Sequence, residues 1–464
     1  MVSYKLHEYW SQYQVIEANP NRVERLSLAS DLVLTSNARI PDTPDVTIAY
    51  NGHLTVNGDN AQPIGAFVIN NQDNATTSGV LISHCENITS TSTAVRYYLD
   101  YSSNPYWYYL CLPFDVRVED ITNTANAAIV IREYDAAGRA DHGPSGNWVD
   151  VAPDATLQAG HGYIMTASAA TYATFPATAE TRQAIFTPAA VTTPLDAHAS
   201  VQPTDAGWNL VGNVYPAYYD IYYMDYTAPI TVWSTGNRSY TAYSVADDNL
   251  ALLPFQAFFV QRPENVDVLT LNPAGRQTSS VIDHSAASVR RAPAAGRSVV
   301  NLTLSDGQFT DRTRVVINAA ASDDFDAATD ATKMMSYEGA PQFYSLLADD
   351  SQLAINEGQQ QSGLVDLGMY LPADGTYTID LTRADIDVQL LDDGQIVQMP
   401  YTFSAPAGTL DRRFSIVFAS GTVTGIDQAL PATLQALPSY DLQGRRVKSP
   451  AVPFLRKGSI VISK

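Results

Sequence analysis

Residues 45–58 read DVTIAYNGHLTVNG, and this stretch decides the fold. Val46 and Ile48 fall at spacing two, as do Leu54 and Val56, and Asn51-Gly52 and Asn57-Gly58 close the two runs. Side chains of a strand alternate between faces, so each run presents one apolar face. Asn-Gly supplies the left-handed backbone of a tight corner. Strand, corner, strand, corner over residues 43–70 predicts coils of a parallel β-solenoid; a pair of ordinary hairpins is the alternative that the same pattern allows. Outward from here the alternation recurs at 80–83, 94–99, 107–112, 128–131, 162–166, 208–211, 230–233, 257–260, 299–304, 314–318, 376–381, 387–391, 413–418 and 459–462. The best helical pattern is 326–335, three turns at most. The expectation is an all-β, multidomain chain.

Composition bounds the classes of function. The 464 residues carry a formal charge of −21, and charged residues are 16% of the chain against about 25% in an average soluble protein. A hydrophobic fraction of 45% can fill several cores, which excludes wholesale disorder. Phosphate contacts need clustered cations, so a general nucleic-acid binder is excluded. No run approaches the 18–20 apolar residues of a membrane helix. The opening MVSYKLHEYW lacks the apolar core of a signal peptide, so the chain is either cytoplasmic or cut from a longer secreted protein, and the C-terminal end favours the cut. Cys85 and Cys111 are too few for a disulfide scaffold or a thiolate metal site. They either bridge to each other or stay as buried free thiols, and the apolar run around Cys111 favours the thiol.

Residues 96–283 hold a faint internal repeat. Trp107 leads through Leu110 to Pro113, and Gly162-Tyr163-Ile164 comes after. Trp208 leads through Leu210 to Pro216, and Ala257-Phe258-Phe259 comes after. The spacing Trp107 to Trp208 is 101 residues, and Tyr163 to Phe258 is 95. Two related halves of a large β-sandwich region are expected there. The division drawn is 1–95 as the solenoid-like or hairpin segment, 96–283 as the sandwich with two halves, 284–298 as an Ala/Ser/Arg-rich linker, 299–422 as a second β-sandwich, jelly-roll or Ig-like, and 423–464 as a small terminal β-module.

The tail is charged unlike the rest. Three of the five lysines lie in the last 17 residues, and from Tyr440 onward there are six cations against Asp441 alone. A solvated terminal hairpin or a segment with a separate task both fit that asymmetry. The tail's Tyr440, Asp441, Leu442, Gln443, Gly444, Arg445 and Arg446, with Lys457 and Gly458 further on, resemble the C-terminal module of secreted Bacteroidetes proteins that is read by the type IX secretion machinery. WYYLCLPFDV (107–116), WNLVGNVYP (208–216) and PFQAFFV (254–260) are similar to the β-sandwich phrases of the same proteins. The resemblance implies export, a location outside the cell or on its outer surface, and secretion machinery as a partner. It implies no single activity, because such modules accompany adhesins and hydrolases alike.

Candidate chemistry is sparse. The sequence has no HExxH, no GxSxG elbow and no Walker or dinucleotide glycine loop, and no residue is singled out as catalytic. Asp323, Asp324, Asp326 and Asp330 would offer hard oxygen ligands to calcium, the one cofactor the sequence suggests, although the spacing is not that of an EF-hand loop. The alternative is capping of the helix expected at 326–335. Tyr215, Tyr218, Tyr219, Tyr222 and Tyr223 crowd a segment with Pro216, where outward rings would suit a glycan or a protein partner and inward rings would be core. The functional expectation is a non-enzymatic secreted or cell-surface protein, adhesin-like or ligand-binding. The alternatives are the non-catalytic portion of a secreted hydrolase, or a glycan-binding module.

Overall fold

The computed structural model describes residues 22–34, 40, 42–58, 61–73, 77–101, 106–282, 296–336, 339–360 and 362–418, with further strands at Gln14–Asn19, Ser439–Asp441, Arg446–Val447, Phe454–Arg456 and Ser459–Val461. The chain is all-β and divides into two compact units, Met1–Gly236 with Tyr243–Ala292, and Asn237–Ala242 with Pro293–Lys464.

The first unit begins as stacked parallel coils. Strands Arg22–Leu28, Asp45–Ile48, Gln62–Gln72 and Ile88–Leu99 pair in parallel, and so do Asp31–Leu34, His53–Val56 and Val80–Ser83. The register places Leu28, Ile48, Ile69 and Val95 in one interior column, each fully buried. A Cβ on Gly52 would lie 2.1 Å from the carbonyl oxygen of Leu28 in the coil before it, so the Asn51-Gly52 corner admits glycine alone. These are coils rather than hairpins, yet they do not close into a solenoid. Ile88–Leu99 turns to antiparallel pairing with Thr171–Pro176, and one core runs from Leu26 to Phe255. The strand Ile88–Leu99 therefore crosses the 95/96 division, and the coils share their core with the first half of the sandwich region.

The repeat is visible in the pairing. Tyr108–Cys111 pairs with Gly162–Ala167, which pairs with Ile129–Tyr134. Trp208–Gly212 pairs with Ala257–Gln261, which pairs with Ile230–Ser234. Tyr163 faces Leu110 as Phe258 faces Val211, reproducing the offsets of 101 and 95 read from the sequence. Ile88–Leu99 beside Thr171–Pro176 is matched by Val191–Pro194 beside Val268–Leu271. The halves touch where side chains are smallest, with the Cys111 amide donating to the carbonyl of Phe255 at 2.8 Å.

The second unit is built on an eleven-stranded sheet that curls into a sandwich. The hairpin Arg297–Ser305 and Thr310–Asn318 is central, joined in parallel to Gln352–Gly358 and antiparallel to Gly375–Ala384. Phe403, near one end of the strand order, lies 4.7 Å from Phe414, near the other, over a core with Leu302, Phe343 and Met369. The expected helix at 326–335 does not form. Asp330 donates its amide to the Asp326 carbonyl for a single turn, and Ala331–Thr332 then pairs with Gln352–Gly358. Its amides are claimed by the neighbouring strand, so tertiary pairing overrides the local helical pattern. Among the described residues the one α-helix is Ala136–His142, started by Asp135, whose Oδ1 accepts the Gly138 amide at 2.7 Å, and ended at Gly143 with φ +90°. Most of the 284–298 linker lies outside the described residues, and Arg297–Ser305 starts within it. The terminal strands form an antiparallel sheet with Tyr440 opposite Arg446 and Leu455.

Candidate ligand-binding cleft

A cleft of about 950 Å³ opens on the first unit. Its lining comes from both halves: Glu133 to Ala137 and Gly160 to Gly162 from the first, Trp208 to Val211 from the second, and the connection between them at Val191 to Pro194, Asp196 and His198. A volume of this size falls in the range of small-molecule sites.

A buried arginine stiffens the wall. Arg139, on the short helix, is almost fully buried and sits 4.1 Å above the Trp208 ring. Its Nε donates to Asp205 at 3.1 Å and its Nη1 donates to the Tyr134 hydroxyl at 3.1 Å. Burial pushes the Tyr134 hydroxyl above its usual pKa. Guanidinium, carboxylate, phenol and indole thus pin the helix to the strand Trp208–Gly212. On the opposite side Asn209 holds the connection, accepting the Asp196 amide at 2.9 Å and donating to the Asp196 carbonyl at 2.9 Å. His198, at φ +36°, is part of the same bend.

The rim carries Glu133, His161, Asp196 and His198. His198 Nε2 lies 3.9 Å from Asp196 Oδ2, and Asp196 is largely in solvent. That separation exceeds the roughly 2.6–3.2 Å reach of an acid–base couple. Carboxylates and imidazoles suit the rim to holding hydroxyls or cationic groups of a ligand. His161, noted in the sequence only as a loop histidine, belongs to this rim, whereas the cleft walls at 133–137 and 191–198 escaped sequence reading. The one local signal was Asp135 three residues before Gly138, a helix start.

The tyrosine segment turns inward. Tyr215, Tyr218 and Tyr219 are buried, and their hydroxyls are all engaged: Tyr215 donates to the carbonyls of Ala189 and Leu271, Tyr218 accepts the Ser78 amide, and Tyr219 accepts the Asn272 amide. The outward reading of these three is corrected, because both faces of Tyr218–Asp220 are covered. Tyr222 and Tyr223 are half-buried and meet edge to face at 5.3 Å.

The aspartate cluster disperses as well. Asp323 accepts the Gln360 amide, Asp326 accepts the Ala328 amide, and Asp330 accepts the amides of Glu357 and Asp326. Asp324 donates its amide to the Ser322 hydroxyl at the surface. Among the described residues no three His, Cys, Asp or Glu side chains converge as metal ligands, and three of the four carboxylates accept backbone amides. Both cysteines are free and buried, and burial pushes the Cys111 thiol far up. Of the tail motif, Leu442, Gln443, Gly444, Arg445, Lys457 and Gly458 lie outside the described residues.

Asp330 gives a pH prediction. Burial, helped by the charges of Asp326 and Glu357, pushes its carboxyl up to about 7 against the pull of two amide donors. The folded state then holds a proton that the unfolded chain releases near pH 4. Its contribution is complete below that value and is lost as pH rises through 7. Thermal melts should show the second unit losing stability from pH 5 to 8, by at most about 4 kcal/mol from this group. Asp330→Asn should flatten the slope across that window; an unchanged slope would assign it to another group.

No family model, curated protein or solved structure matches this chain.

Proposed function

We propose that the chain is a non-enzymatic secreted or cell-surface protein of a Bacteroidetes-type bacterium, adhesin-like, whose ligand occupies the cleft between its two halves. The cleft carries this reading: a two-sided concavity with carboxylates and imidazoles at its rim. The resemblance of residues 439–464 to a sorting module supports export, with the secretion machinery as a transient partner and a glycan or surface protein as the ligand.

One experiment addresses both parts. The full-length gene is expressed in its native type of host as wild type, without residues 439–464, and as Ala137→Trp, which places an indole in the cleft from an exposed helix position. Surface display is read with an antibody, and the purified chains are tested on immobilised glycans and surface proteins. The tail deletion should remain inside the cell. Ala137→Trp should be displayed normally and bind at least about tenfold more weakly. Unchanged display of the deletion removes the sorting role, and undiminished binding by Ala137→Trp removes the cleft.

A further inference from the structure

The seven-stranded sheet of the first unit has a second feature, on its outer face and away from the cleft's lining. Three adjacent strands, Gln62–Gln72, Ile88–Leu99 and Thr171–Pro176, place Asn70, Arg96 and Thr174 in one cross-strand row. The next row holds Gln72, Tyr98 and Tyr172. Their neighbours Ile69, Asn71, Val95, Tyr97, Ala173 and Phe175 point inward and are buried, so these two rows face outward. Tyr98 and Tyr172 have ring centroids 5.0 Å apart, and Tyr50 adds a third ring 6.3 Å from Tyr172. Tyr172 is 39% exposed, high for a large aromatic side chain.

Arg96 stands among these rings without a hydrogen bond or an ion pair from the described residues. In a chain of net charge −21, acids outnumber cations and an arginine left without a carboxylate is conspicuous. Asn70 Oδ1, Tyr50 Oη and Arg96 Nε are also held out of solvent with no partner. Buried groups of this kind are costly to leave unsatisfied. Asp100 lies beside Tyr98 at the strand's end, opposite in sign to Arg96.

We propose that this face binds an acidic glycan: a sugar ring stacks on the Tyr98–Tyr172 pair and its carboxylate meets the Arg96 guanidinium. The rings match the C–H faces of a pyranose, and the unpaired cation supplies charge complementarity to a uronate or sialate carboxylate. Asp100 repels that carboxylate and so sets the direction in which the chain lies. A neutral sugar would leave the cation unanswered.

Calorimetric titration of the whole chain with trigalacturonate and with 3′-sialyllactose, against lactose as the neutral counterpart, tests this. At least one acidic sugar should bind with Kd in the range of ~0.1–1 mM, and lactose about tenfold more weakly or not at all. Tyr172→Ala, at an exposed position, should weaken acidic binding by about tenfold or more, and Arg96→Gln should erase the preference over lactose. Ala137→Trp, which blocks the cleft, should leave it unchanged, so this site stands or falls apart from the cleft. Thermal melts of each variant establish that it is folded. Failure of both acidic sugars to bind the wild type, equal affinity for lactose, or binding that survives both Tyr172→Ala and Arg96→Gln overturns the assignment.

Discussion

Gly212→Val is expected to be the most damaging single substitution in the first unit, costing about 4 kcal/mol or more and lowering its melting temperature by about 10 °C. A Cβ at Gly212 would lie 2.3 Å from the Cys111 Cβ and 2.7 Å from the Gln256 carbonyl oxygen. The first contact crosses to the other half and the second is backbone beside the paired strand Ala257–Gln261, so relief requires main chain to move both between the halves and within the second, and rotamer changes cannot supply it. Gly162 lies on the first half's side of the same seam, where a Cβ would lie 2.4 Å from Leu210 Cγ, 3.0 Å from the Leu210 carbonyl oxygen and 3.1 Å from the Ala257 Cβ. Gly162→Val should be damaging too, but less so, because its tightest contact is the Leu210 side chain and the backbone oxygen beside it is 3.0 Å away rather than 2.7 Å. Gly236→Ala, with nothing within 4 Å, is the control and should stay within about 0.5 kcal/mol of wild type. Chemical denaturation followed by tryptophan fluorescence checks the series. A Gly212→Val protein as stable as the Gly236→Ala control would show that the halves are not in contact there.

Lys333→Met is expected to cost the second unit about 3–5 kcal/mol. Lys333 Nζ donates to Asp311 Oδ2, and both side chains are 1% exposed. Asp311 Oδ2 also accepts the Phe343 amide at 2.6 Å, while its Oδ1 is buried without a partner. Removing the ammonium would strand a charge in a medium that cannot solvate it. Adding Asp311→Leu to Lys333→Met should recover part of the loss, leaving about 1–3 kcal/mol for the unanswered Phe343 amide. Urea titrations of the two single variants and the double variant give the coupling. Additive losses would mean that the two groups do not interact.

Strand positions were legible because alternation survives wherever one face of a sheet is buried, as in Asp45–Ile48 and His53–Val56. The internal repeat was legible because the aromatic and aliphatic residues of Tyr108–Cys111 and Trp208–Gly212 fill equivalent core positions. Alternation is the same in parallel and antiparallel pairs, so it left coils and hairpins undivided, and the stacked corner at Gly52 decided between them. Tyr215 to Tyr219 could not be oriented from sequence, because a strand covered on both faces looks like one with a spare face until its neighbours are placed. The cleft was hidden for a related reason. Its walls come from residues 133–137, 160–162, 191–198 and 208–211, which share no motif and meet only through the duplicated fold.

The two halves are alike in their pairing but unequal in their connections. Between Ile129–Tyr134 and Trp148–Asp150 the first half spends residues 135–147, helix included, whereas the second half has no α-helix among the described residues. The helix that walls the cleft thus belongs to one copy of a doubled plan. The doubled plan is one-sided, and the proposed ligand site is expected to occur once per chain.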